Sequence, residues 1–120
     1  MKITLLGDVP SKKNSKRIVP VNGRHIIISS KNYLDWERDQ LKLIKYTVHE
    51  ALIENDYQLS VRFYPSTKRK FDLSNKVESI QDLLVKAGVI SDDNYCVINS
   101  LHVYFGEVDR NNPRAEIEIL

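Results

Sequence analysis

A single cysteine, Cys96, stands in a chain of 120 residues. No intramolecular disulfide can form, and no second thiol exists to complete a zinc cluster with His25, His49 and His102. Disulfide-stapled scaffolds and zinc fingers are therefore excluded. Glycine and proline are scarce, four of each, which sets aside collagen-like and low-complexity chains. No apolar run approaches the roughly 20 residues that cross a bilayer, and the N-terminal MKITLLGDVPSKK lacks the long apolar stretch and small-residue cleavage site of a signal peptide. A cytoplasmic protein with no membrane contact is expected. What remains, 42% hydrophobic and 28% charged residues, suits one ordinary domain over residues 1–120 with a single core.

The net charge of +2 hides an uneven distribution. Residues 1–70 hold 14 Lys and Arg against 7 Asp and Glu, net +7; residues 71–120 hold 4 against 9, net −5. One half can attract a polyanion and the other supplies carboxylates, the division of labour of a metal-dependent nuclease. Two solvated faces of opposite sign would read the same way.

Hydrophobic spacing predicts the elements. Lys2 to Leu6 reads as a strand, followed by the polar, basic loop GDVPSKKNSKR. Arg17 to Val21 and Arg24 to Ser29 flank Asn22-Gly23, a dipeptide suited to a type I′ hairpin turn. From Lys31 to Glu54 the apolar Leu34, Leu41, Ile44, Val48, Ala51 and Leu52 predict one long amphipathic helix. Tyr57 to Tyr64 alternates, with Leu59, Val61 and Phe63 on one face. Asp72 to Ala87 reads as a helix with Leu73, Val77, Ile80, Leu84 and Ala87 inward and Gly88 at its C-terminal cap. Val97 to Phe105, with Leu101, Val103 and Phe105 on one face, and Ala115 to Ile119 complete the set as strands. The expected fold is α+β: a mixed sheet and a β-hairpin covered by two helices, in the order β, hairpin, α, β, α, β, β. Alternation in the strands implies that one sheet face holds the helices while the other meets solvent or a second subunit.

Chemistry concentrates in Lys68-Arg-Lys-Phe-Asp72-Leu-Ser-Asn75-Lys76-Val-Glu78 and in Ser91-Asp92-Asp93-Asn94. Asp72 falls at a strand-to-helix junction. Asn75, Glu78 and Asp82 share one helix face, and the Asp92-Asp93 pair returns after the same helix. A sparse set of carboxylates and an amide beside basic residues suits a hard divalent ion working on a phosphodiester, since Mg²⁺ takes one or two carboxylates plus water and phosphate oxygens. Each part also has a plainer reading: Asp72 as a helix N-cap, Asn75, Glu78 and Asp82 as the wet side of a helix, Asp92-Asp93-Asn94 as turn residues. Tyr33 and Trp36, off the apolar stripe of the long helix, are candidates for a dimer interface or for partly buried aromatics of the monomer.

Taken together, Pro10-Ser-Lys-Lys-Asn14, the long central helix, Arg69-Lys-Phe-Asp72-Leu-Ser-Asn75 and Ala87-Gly-Val-Ile-Ser-Asp92-Asp93 resemble the RusA-like crossover junction (Holliday junction) endodeoxyribonucleases, common in phages and prophages. The resemblance covers almost the whole chain. It implies a small α+β homodimer that uses Mg²⁺, with Mn²⁺ as a substitute, to cut four-way junction DNA during recombination and repair. Asp72 matches the first aspartate of the family's Asp-Leu-Asp-Asn motif, Asn75 its closing asparagine, and Asp93 the essential aspartate of the later pair, with Asp92 its neighbour. Two positions depart from the pattern: Ser74 replaces a metal-binding aspartate, and Glu78 replaces a functional lysine. The expectation is compensation, with Glu78 supplying the missing carboxylate and Lys76 or the Lys68-Arg69-Lys70 run standing in for the lysine. The catalytic set is then Asp72, Asp93, Glu78 and Asn75, the metal ligands Asp72, Asp93, Asp92 and Glu78. The DNA contacts are Lys12, Lys13, Lys16, Arg17, Lys68, Arg69, Lys70 and Lys76. Alternatives are a junction-binding protein in which Ser74 has weakened or ended catalysis, and a less selective branched-DNA nuclease.

Overall fold

The computed structural model describes residues 1–12, 16–49 and 52–120. Along the chain run β1 (Lys2–Leu6), β2 (Lys16–Val21), β3 (Arg24–Ser29), α1 (Lys31–Thr47), β4 (Tyr57–Tyr64), α2 (Leu73–Lys86), β5 (Ile98–Phe105) and β6 (Arg114–Ile119). The α+β class and the element order agree with expectation. Four strands form one sheet in the order β1-β6-β4-β5, with β4 and β5 parallel and the other pairs antiparallel. That mixed sheet needs a crossover between β4 and β5, and α2 provides it.

Strand alternation places the core. Leu59, Val61 and Phe63 of β4 lie opposite Ile119, Ile117 and Ala115 of β6, and Ile3 and Leu5 of β1 continue the same face. All eight are buried. The other face is polar: Arg62 opposes Glu116, and its guanidinium lies 4.6 Å from the centroid of the Tyr104 ring. One face covered and one face bare is the arrangement that the alternation implied. Gly88 closes α2 with a φ of 74°. That conformation lets Gly88 and Val89 donate back to Val85 and Leu84, and only glycine adopts it cheaply.

Three details differ from the sequence reading. The long helix stops at Thr47, seven residues early, because Val48 is already extended (φ −108°, ψ 115°) and the chain turns to bring Ile53 beside Ile90 in a parallel bridge. Its buried stripe is Tyr33, Trp36, Gln40 and Ile44, while Leu34 and Leu52 are exposed; Ala51 lies outside the described residues. Tyr33 and Trp36 are therefore packed inside the chain's own core, rings 5.6 Å apart, and are not a dimer surface. Gln40 is tolerated there because its Nε2 donates to the Leu6 carbonyl at 3.1 Å. Finally, Leu101 and Phe105 sit on the core side by register but stay exposed, on the strand that forms the edge of the sheet.

The hairpin forms as expected, with Asn22 and Gly23 at φ of 51° and 78°, both central positions of the turn being left-handed. It does not join the main sheet. β2 and β3 pair only with each other.

Candidate active site

Proline ends β4 at Pro65, and the loop that follows must carry the chain to the start of α2. Asp8, beyond the end of β1, anchors that loop: its carboxylate accepts from the Ser66 backbone N–H at 2.8 Å and from the Ser66 hydroxyl. Between the anchor and α2 opens a groove of about 1150 Å³. Its apolar lining comes from Pro65, Phe71, Leu73, Phe105 and Val108, and its cations are Lys68, Arg69, Lys70 and Lys76. Asp8, Asp72 and Asn75 are the acidic and amide groups in it.

Asp72 occupies the N-cap position of α2, yet its side chain makes no cap hydrogen bond. The ordinary reason for an aspartate there is thus absent. Its carboxylate instead accepts from Asn75 Nδ2 at 3.3 Å and is otherwise open to the groove. Lys76, one turn into α2, is half-buried with its ammonium 4.5 Å from the centroid of the Phe71 ring. Burial holds its pKa below the usual lysine range and Arg69 adds to that, while the charge on Asp8 opposes it.

A second group of acids lies along α2. Ser79 is fully buried, its hydroxyl donating to the Pro10 carbonyl at 2.7 Å and accepting from the Lys12 N–H at 2.9 Å. Lys12 Nζ reaches Asp82 at 2.6 Å. These bonds latch the N-terminal loop onto the helix. In the loop after α2, both oxygens of Asp92 are spent locally, on the Asp93 N–H at 2.8 Å and Asn94 Nδ2 at 2.7 Å. Those bonds hold the Asp92 carboxyl below its ordinary range. Asp93 goes the other way: partial desolvation, then Asp92, then Asp82 push its carboxyl up. One aspartate shapes the turn and the other is left electrostatically uncompensated.

Of the residues expected from sequence, the groove brings together Asp72, Asn75, Lys68, Arg69, Lys70 and Lys76. Asp92, Asp93 and the exposed Glu78 are not among its lining residues; nor is Ser74. Lys16 and Arg17 lie on β2, Lys12 is paired with Asp82, and Lys13 lies outside the described residues. Among the described residues, no three His, Cys, Asp or Glu side chains form a group able to cage a metal. Mg²⁺ seldom uses such a cage, and an open carboxylate beside Lys68, Arg69, Lys70 and Lys76 fits its habit of sharing ligands with a phosphate.

The family model described as endodeoxyribonuclease RusA matches residues 9–120 of the chain. The chain belongs to the RusA family. This RusA-family chain is also 25% identical over 89 residues to the crossover junction endodeoxyribonuclease RusA of Aquifex aeolicus (strain VF5), a match spanning 74% of the chain and 69% of that relative. Sequence reasoning missed Asp8 and Phe105, which line the groove, and Ser79, which ties the N-terminal loop to α2. Asp8 and Ser79 act through partners 58 and 67 residues away in sequence, and no local pattern announces such pairs.

Proposed function

We propose that the chain is a structure-selective endodeoxyribonuclease that resolves four-way DNA junctions by Mg²⁺-dependent phosphodiester hydrolysis, working as a homodimer in recombination and repair. One observation carries the reading: the Asp72 carboxylate sits at the N-terminus of α2 without capping it, inside a groove whose other charges are mostly cations. A duplex backbone enters such a groove through Lys68, Arg69, Lys70 and Lys76, which meet phosphates and give affinity without sequence preference. Lys12, Lys13, Lys16 and Arg17 extend the contact along the junction arms. Asn75 orients Asp72 through their hydrogen bond, so the free carboxylate oxygen is directed rather than swinging.

Asp72 would hold Mg²⁺ or Mn²⁺ together with water and phosphate oxygens. Asp93 and Glu78, which lie outside the groove, are the further carboxylates that the reading assigns to the ion. Asp92, with both oxygens committed to its turn, is the least suited of the expected ligands. The ion, when bound, supplies polarisation of the scissile phosphate and a more acidic water. The raised carboxyl of Asp93 is compatible with this assignment, because a carboxylate that is partly desolvated and has acidic neighbours gains from a cation.

The test is cleavage of synthetic four-way, three-way and linear DNA with Mg²⁺ and with chelator. Cutting confined to the four-way junction and lost with chelator is the expected result. Comparable cutting of all branched substrates would make the protein a general branched-DNA nuclease, and tight binding without cutting would make it a junction-holding protein.

A further inference from the structure

The β2–β3 hairpin contributes nothing to the core. None of its residues belongs to the buried cluster or packs against it, and an isolated two-stranded ribbon is marginal in water without something to lie on. Its register assigns the faces: Ile18 and Ile27 pair on one side with Lys16 nearby, and Val19 and Ile26 pair on the other with Arg17 and Arg24 at either end. Ile18 and Ile27 are each 66% exposed. Between residues 9 and 34 the chain has six Lys or Arg and no Asp or Glu.

We propose that this ribbon is a DNA-holding arm that lies along the duplex flank of the substrate, outside the groove that carries Asp72; the proposal rests on the nuclease reading and extends it. Charge complementarity selects the occupant. Cations project from both faces of the ribbon, as is needed when phosphates stand on both sides of it, whereas the centre of a protein interface is depleted of charge. The dimensions agree. Six residues per strand at about 3.3 Å each give a ribbon of about 20 Å, roughly six base-pair steps, and a two-stranded ribbon fits the major groove. The exposed isoleucines then meet thymine methyls and sugar carbons instead of water.

The test uses the whole chain, wild type and with Arg24→Glu or Arg24→Lys, a 20-base-pair linear duplex, a 20-nucleotide single strand, and the mass of the protein in solution. Arg24→Glu is expected to weaken duplex binding about tenfold and to lower the slope of log K against log salt by about one. Arg24→Lys should keep both, and the single strand should respond little. Wild-type duplex affinity in Arg24→Glu would overturn the proposal. So would a change in the number of associated copies, which would make the ribbon a contact between chains. Junction cleavage is read separately: Arg24-dependent duplex binding by a protein that cuts no junction supports the arm and removes the nuclease reading, while intact cleavage with Arg24-independent binding removes the arm alone.

Discussion

The groove and the acidic stretch of α2 use the same residue types to opposite effect. In the groove Asp8 and Asp72 are outnumbered by Lys68, Arg69, Lys70 and Lys76, and an anion is what would restore balance. Around Asp82, Asp92 and Asp93 the acids are in excess, with Lys12 answering Asp82, and partial desolvation together with these acidic neighbours makes Asp93 hold its proton more tightly. On the proposed reading, a phosphodiester substrate with a divalent cation is the complement of both regions, and the two sets of groups stay apart until substrate links them.

The largest expected effect separates the two regions by function. Asp72→Asn and Asp93→Asn should each lower the cleavage rate by about 100-fold or more while junction binding persists, because each removes a carboxylate without touching the cations. Gel-shift and single-turnover cleavage on the same junction check this, and wild-type cutting by either variant would take its residue out of the site. Next in size is the latch between the regions. Ser79→Ala leaves the Lys12 N–H and the Pro10 carbonyl without their partner, at a cost of about 1–3 kcal/mol read by chemical denaturation. An unchanged midpoint would mean that the N-terminal loop is not held by α2.

Glu78 lies on α2 between Asp72 and Asp82, so it decides whether the regions form one site. Glu78→Gln should raise the Mg²⁺ concentration for half-maximal cutting about tenfold, and adding Ser74→Asp should recover part of the loss. Wild-type cutting by Glu78→Gln at limiting Mg²⁺ would confine the chemistry to the other carboxylates. Asp8→Asn, by removing the one charge that raises Lys76, should push that ammonium further below the usual lysine range. Lysine titration by NMR of the methylated protein would show it, and no movement would disconnect Asp8 from Lys76.

The smallest effect is a stability change in Asp93→Asn. A carboxyl whose folded pKa is raised penalises the fold once it ionises, so stability falls as pH rises from the ordinary value of 3.8 through the folded value. Asp93→Asn should accordingly melt slightly higher than wild type at pH 7 and match it below pH 3.8. A difference independent of pH would assign the effect to packing.

Much of this molecule could be seen in its residues, and the exceptions have physical causes. Asn22-Gly23 and Gly88 announce their turns because a positive φ is a local demand that few residues meet. The stripe of α1 was displaced because Tyr33 and Trp36 bury rings while Gln40 buries an amide satisfied by Leu6, a contact between distant segments. Asp72 and Asn75 were visible as candidates. That the cap bond is unmade, and that Asp92 rather than Asp93 serves the turn, are matters of side-chain direction that spacing does not encode. Leu101 and Phe105 alternate like core residues, but cover depends on the position of β5 in the sheet and not on its own pattern.

The groove draws its walls from Asp8, from the segment after β4, from the first turns of α2, and from Phe105 and Val108 around the end of β5. No two neighbouring elements can build it alone. Bringing Asp8 to Ser66 closes a loop across 58 residues, and docking β5 parallel to β4 waits on the α2 crossover, both of which cost chain entropy before they return contacts. The ribbon, in contrast, pairs across a single local turn. The basic ribbon is therefore a product of local sequence, whereas the groove exists only once segments far apart in the chain have met.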